Sequence, residues 1–156
     1  MIKQIGEVIL IRKASADDAE HLSELYANHL KILPPKEERD IEKFKLMLSK
    51  FSVDSLYYIF VCEIDGKAVS SVTLVIIENL TNDMRPYAVI ENVVTHADYR
   101  NMGCASALMN KAEETAREHN CYKIMLMTGS KKESTLNFYK NNGFDMNEKT
   151  AFIKRL

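Results

Sequence analysis

The sequence predicts a single mixed α/β domain over residues 1–156 with the element order β-α-α-β-β-β-α-β-α-β. Three observations lead there. Strand-like and helix-like hydrophobic periods alternate along the chain. Asp65-Gly66 joins two β-branched runs, the signal of an antiparallel hairpin. Further on, a long amphipathic segment leads into "CYKIMLMTG", a near-continuous apolar run expected of an interior strand covered on both faces. Antiparallel strands come first and βαβ units second, which separates the chain from a doubly wound sheet.

Each element has its own signal. "EVILIRKA" is β-branched with partial alternation and reads as the first strand. Ser15 and Asp18 resemble a capping box opening a helix whose face is Ala19, Leu22, Tyr26 and His29. "KILPPKEERD" ends it, because Pro34 and Pro35 cannot continue a helix. Ile41, Phe44, Leu48 and Phe51 repeat at helical spacing and predict the second helix. "LYYIFVCEID" and "AVSSVTLVII" form the hairpin, and "ENLTNDMRP" leads into the strand "YAVIENVVTH". Ala105, Leu108, Met109, Ala112 and Ala116 define the buried face of a long helix. Ser130 and Glu133 suggest another capping box before a short helix through "STLNFYKNN", which Gly143 ends. "TAFIKRL" reads as a last strand.

Composition narrows the function classes. A formal net charge of −1 argues against nucleic acid and membrane surfaces, which usually demand a basic excess. No run is long and apolar enough to span a bilayer, and "MIKQIGEVILIRKAS" lacks a cleavage site of signal-peptide type, so a cytoplasmic location is expected. Cys62, Cys104 and Cys121 lack metal-ligand spacing and read as small apolar residues of a reducing compartment. The four histidines are scattered, so no metal is expected.

The chemistry concentrates in "YRNMGCASALM". If a helix starts near Cys104, the amides of Asn101 to Ala105 are loop or first-turn donors without intrahelical acceptors. Such a nest, backed by the helix dipole, suits a phosphate. Gly103 would let the ligand lie on bare backbone, and Arg100 would add a bidentate cation. An ordinary helix start with one turn glycine has the same spacing. The Gly-Lys-Ser/Thr phosphate loop and the three-glycine dinucleotide fingerprint are absent.

"VVTHADYRNMGCASALM" resembles the acyl-CoA motif of the GNAT superfamily of N-acetyltransferases, Arg/Gln-x-x-Gly-x-Gly/Ala, at Arg100, Gly103 and Ala105. "NFYKNNGF" is similar to that family's Phe/Leu-Tyr-x-x-x-Gly-Phe element, at Phe138, Tyr139, Gly143 and Phe144. The resemblance implies a twisted, mostly antiparallel sheet of about six or seven strands with four helices. It also implies a V-shaped gap where "YAVIENVVTH" splays from "CYKIMLMTG", and acetyl-CoA as co-substrate. The pantetheine arm would pair with Val93, Val94 and Thr95. The pyrophosphate would rest on Asn101, Met102, Gly103, Cys104, Ala105 and Ser106, with Arg100 at the entrance.

The resemblance further implies direct attack of a primary amine on the thioester, with Tyr139 as proton donor to the departing thiol. Glu91, a lone carboxylate among apolar neighbours in "YAVIENVV", is the candidate base, with water as the alternative. Lys132 stands seven residues before Tyr139, where many relatives carry a CoA-contacting asparagine; Asn137 is a nearby substitute. The acceptor stays open among small amines, polyamines, protein amines and a phosphorylated amino sugar. "CYKI" and "FYKNNGF" resemble glucosamine-phosphate N-acetyltransferases, and Arg85, Lys131 and Lys132 offer cations for a phosphosugar. A non-catalytic acyl-CoA sensor on the same fold is the rival reading. A monomer and a homodimer paired through "TAFIKRL" both remain open.

Overall fold

The computed structural model describes residues 9–30 and 34–156. Glu7 and Val8 of the predicted first strand, and the "KIL" of the predicted helix break, lie outside the described residues. Five strands form one sheet in chain order: β1 (Ile9–Lys13), β2 (Tyr57–Ile64), β3 (Lys67–Ile77), β4 (Tyr87–Thr95) and β5 (Ile124–Leu126). The first four pair antiparallel; β4 and β5 run parallel, joined by the crossover helix. The helices are α1 (Ala19–Leu25), α2 (Ile41–Val53), α3 (Cys104–Glu118) and α4 (Glu133–Asn141).

The sheet is sandwiched between two apolar layers. On one face α1 and α2 bury Leu22, Leu25 and Leu48 against Ile59, Val61 and Val94. On the other, α3 buries Leu108, Met109 and Ala112 against Phe60, Leu74 and Ile90, and α4 adds Phe138 and Tyr139 at the margin. Of the predicted face of α3, Leu108, Met109, Ala112 and Ala116 are buried, while Ala105 in the first turn is half-buried and lines a cleft. The hairpin also forms as predicted: Asp65 (φ 50°) and Gly66 (φ 76°) both take the left-handed conformation that a two-residue turn of twisted strands requires.

The helix predicted from Ser15 to Leu30 is three structures in series. A 3₁₀ turn covers Ala16–Asp18, α1 follows, and a π-helical turn covers Tyr26–Leu30. Asp18 accepts the Ser15 amide at 2.8 Å, one half of the predicted capping box. The buried Asp18 carboxylate also takes both arms of Arg12, at 2.7 and 2.8 Å, and Arg12 reaches Glu63 at 2.8 Å. This cluster pins β1 and β2 to the entry of α1.

Three expectations are corrected. "TAFIKRL" forms no strand: residues 145–156 contain none, and Phe152 is 91% exposed. Its alternation is strand-like, but a strand needs a partner edge, and here its apolar side chains meet no face of the sheet. "CYKIMLMTG" contributes only three paired residues and lies at the sheet edge, with Met125 and Met127 exposed. Ser130 does not cap α4, which starts from Lys132; its hydroxyl instead lies 3.3 Å from that of Thr135.

Removing Arg12 leaves a buried carboxylate unpaired. Arg12→Met is expected to cost about 3 kcal/mol in urea unfolding at neutral pH. Burial works against the Asp18 charge, but the bonds from Arg12 and Ser15 outweigh it and hold its pKa below the ordinary range. The advantage is therefore full above the unfolded carboxylate value of about 3.9. The wild-type and variant curves should converge as the pH falls through the depressed folded value.

Candidate active site

The site originates in an irregularity of β4. The register steps from Thr73–Glu91 to Ser71–Val94, so Asn92 and Val93 stand opposite Val72 alone. This is a β-bulge, and Asn92 carries the positive φ of 51° that such a kink can require. The bulge reverses the side-chain alternation. Before it, Ala88 and Ile90 face α3; after it, Val93 faces α3 and Val94 faces α1 and α2. Pairing with β5 stops at Ile90–Leu126, while β4 continues to Thr95. The predicted splay is thus present, and its mouth is bordered by bulged backbone.

Ser70 secures the strand beyond the bulge. Its buried hydroxyl lies 2.8 Å from the Val94 carbonyl, to which it can donate, and 2.7 Å from the Thr95 hydroxyl.

A cleft of about 540 Å³ opens at this point. Val93, Val94 and Thr95 form one wall, and Arg100, Asn101 and Gly103 with the first turn of α3 form the floor. Tyr139, Phe138 and Thr135 of α4 close the far side, with Lys132 at the helix start. The sequence had not pointed to α4's polar first turn, nor to His29 and Leu30, which the π turn brings to the rim.

The floor has the shape a phosphate requires. Asn101 (φ 62°) and Gly103 (φ 85°) are both left-handed, and Gly103 occupies the N-cap of α3 without a side-chain cap. The first intrahelical bond runs from Ala107 to the Gly103 carbonyl at 2.9 Å, so the earlier amides have no acceptor within the helix. A side chain placed on Gly103 would meet no protein atom within 4 Å. Arg100 and Lys132 bring two cations to the lining, which among the described residues holds no carboxylate. This combination fits a polyanion on bare backbone.

Three candidates are not part of that lining. Met102 lies in the loop but turns its side chain onto the core. Asn137 is exposed on α4 and does not line the cleft, because the residue two before Tyr139 falls on another side of the helix. Glu91 is exposed rather than enclosed by its apolar strand neighbours. Its charge nevertheless reaches two phenols, those of Tyr139 and Tyr57.

Tyr139 packs against Phe138 and Phe144 at ring distances of 5.2 and 6.4 Å. Burial, reinforced by Glu91, raises its pKa above the ordinary phenol value. The thiols offer no competing nucleophile. Cys62 is fully buried and pushed up to about 12 by burial and by neighbouring Cys104, which is buried at the start of α3. Arg85 is committed elsewhere, donating to the Asn120 and Cys121 carbonyls at 3.2 Å each. A larger depression of about 720 Å³ lies near Leu56, Ile76 and His119. There His119 already shares a 2.7 Å hydrogen bond with Tyr58, and no helix start faces it.

Residues 20–144 match the acetyltransferase (GNAT) family. The chain belongs to that family. GNAT enzymes take their acetyl group from acetyl-CoA, whose diphosphate and extended arm suit the floor and wall described above. The chain is 37% identical to an acetyltransferase candidate from Agrobacterium tumefaciens, with a TM-score of 0.83 over 94% of this chain and 99% of that one. It is 29% identical to a glucosamine 6-phosphate N-acetyltransferase of Trypanosoma brucei brucei over 86% of each chain. It is also 29% identical to an uncharacterized N-acetyltransferase of Methanocaldococcus jannaschii, over 88% of this chain and 61% of that protein. No described helix of this GNAT chain is long and apolar enough to cross a membrane, and no cluster of metal-binding side chains occurs among the described residues.

In tyrosine labelled with ¹³C at Cζ, the Tyr139 resonance is expected to titrate above about 10. Glu91→Gln should move that midpoint downward. An unmoved midpoint would show that the Glu91 charge does not reach the cleft.

Proposed function

We propose that the protein transfers the acetyl group of acetyl-CoA to the primary amine of a small molecule by direct attack. The observation that carries this reading is one cleft joining the uncapped start of α3, the end of β4 beyond its pairing with β5, and Tyr139. The amides after Gly103, with Arg100, hold the diphosphate. The free edge of Val93 to Thr95 aligns the pantetheine arm as an added strand.

The reaction forms an N–C bond and breaks the C–S bond, leaving a thiolate. Tyr139, kept protonated by its raised pKa, hydrogen-bonds that sulfur as charge develops. A complete proton transfer from a phenol at or above about 10 to a thiolate near 8.5 is uphill by about 2 kcal/mol or more. Stabilisation of the leaving charge is thus the larger share of the role, followed by proton exchange with solvent. Glu91, open to water, accepts the ammonium proton and relays it outward. Cys104, the one cysteine on the cleft lining, is buried in the core, so direct attack by the amine is favoured over a covalent acyl-enzyme.

A phosphorylated amino sugar is the second acceptor reading, supported by the similarity to the T. brucei enzyme. Its weakness is the cation supply: Arg85 is tied to backbone, and Lys132 lines the donor cleft.

Release of CoA thiol should be measured across amino sugars, their phosphates, polyamines, amino acids and peptides. Tyr139→Phe is expected to lower kcat at least tenfold while leaving acetyl-CoA affinity within about threefold. A fully active variant would exclude the tyrosine role. Gly103→Glu has open space, costs about 1–2 kcal/mol for its left-handed backbone, and should abolish the thermal shift produced by acetyl-CoA. An unchanged shift would remove the phosphate assignment, and tight donor binding without turnover on any amine would favour a sensor.

A further inference from the structure

The mechanism above leaves unused a histidine on the cleft lining, His29, and the second histidine packed against it, His96. His29 stands on the rim, delivered by the π-helical turn that follows α1. Such turns widen a helix by one residue and commonly occur where a side chain must be re-aimed at a functional site. This one is tethered at its start, where the buried Tyr26 hydroxyl lies 3.3 Å from that of Ser71 on β3. Its end carries His29 to an edge-on contact with His96, at 4.6 Å between ring centres. His96 in turn accepts the Asp98 amide through Nδ1 at 3.2 Å and packs edge-on against Tyr99.

The groups facing His29 are His96, Asp98 and Arg100, with Lys132 elsewhere on the same cleft. Positive or chargeable groups outnumber the single carboxylate. Burial, then His96 and Arg100, push the His29 imidazole below its ordinary value, and Asp98 only partly opposes them. In the free protein His29 is therefore neutral near pH 7. An anion in the cleft changes that balance, because negative charge beside an imidazole favours its protonated form.

We infer that His29 is a proton-coupled ligand of the acyl donor, taking a proton from solvent when the donor's diphosphate arm enters the cleft. This rests on the donor-site reading above and assigns that site a third cation, present only when the anion is. The linkage has a definite sign. A pKa higher in the complex than in the free protein makes binding tighter as the pH falls through the interval between the two values. One unit of difference corresponds to tenfold in affinity.

The probe is dephospho-CoA, which keeps the diphosphate and lacks the 3′-phosphate that itself titrates in this range. Calorimetry in buffers of different ionisation enthalpy should show up to one proton taken up per ligand. Affinity should be about tenfold higher near pH 6 than near pH 8. His29→Gln should flatten that dependence. His96→Gln should retain a dependence displaced toward higher pH, because His29 is still present and loses a neighbour that holds its pKa down. Independently of any variant, the His29 Cε1 proton of the wild-type protein should titrate below about 6.5 alone and higher with dephospho-CoA. The inference is overturned if His29→Gln keeps the full pH dependence, if the dependence follows His96, or if wild-type binding is flat. A wild-type protein that binds no dephospho-CoA at any pH would instead sink the donor-site reading itself.

Discussion

Most of the site depends on a single extra residue in β4. Setting Asn92 and Val93 against Val72 shifts the side-chain alternation by one position, so the strand changes faces without leaving the sheet. Val94 then fills the layer beneath α1 and α2, while Val93 and Thr95 are free to line the cleft. The same kink coincides with the end of pairing to β5 at Ile90–Leu126. An uninterrupted β4 would offer its edge to β5 along more of its length and leave less backbone for a ligand. Ser70, bonded to Val94 and Thr95, shows that the strand resumes regular pairing immediately afterwards, so the irregularity is confined to the position where it is used.

The second constraint is electrostatic. The start of α3 faces the cleft without a side-chain cap, which in a helix buried against protein would be a defect. Here the defect and its remedy are the same feature: amides without acceptors and two nearby cations define a place where negative charge lowers the energy of the free protein. The thiols follow the opposite logic. Cys62 and Cys104 lie directly beneath that floor, yet burial keeps the Cys62 proton in place and both act as packing. The floor can then be positive without generating a thiolate that would compete with the incoming amine.

What could be read from the sequence is what depends on local rules. Asp65-Gly66 announces its hairpin because few residue pairs tolerate two left-handed conformations in a row. The face of α3 follows from period alone. Spacing alone leaves Gly103 between a turn and a ligand contact; the resemblance of Arg100, Gly103 and Ala105 to a family motif points to the contact, and the left-handed backbone with open space at Gly103 is compatible with it. What could not be read depends on partners distant in sequence. The bulge has no glycine to mark it, and the adjacent valines at 93 and 94 hide the break in alternation. "CYKIMLMTG" has the composition of a central strand, but its pairing is cut short by the splay of β4. "TAFIKRL" has the pattern of a strand without an edge to join. The π turn was equally hidden, since Tyr26 and His29 keep ordinary helical spacing until Tyr26 is anchored to Ser71.

The two faces of the sheet also divide the problem of specificity. The proposed donor site draws on β4, α3 and α4, and largely on their backbone, which tolerates side-chain change. Glu91 lies on the strand at the boundary, close enough to influence both Tyr139 of the donor cleft and Tyr57, which stacks on Phe51 at 4.1 Å beneath the α2 layer. Glu91 and the Phe51–Tyr57 stack thus place a carboxylate near aromatic side chains on that side. If Glu91 takes the amine's proton as proposed, a phosphorylated acceptor would bring its negative charge toward that carboxylate, whereas a protonated amine on an apolar or sugar-like body would not.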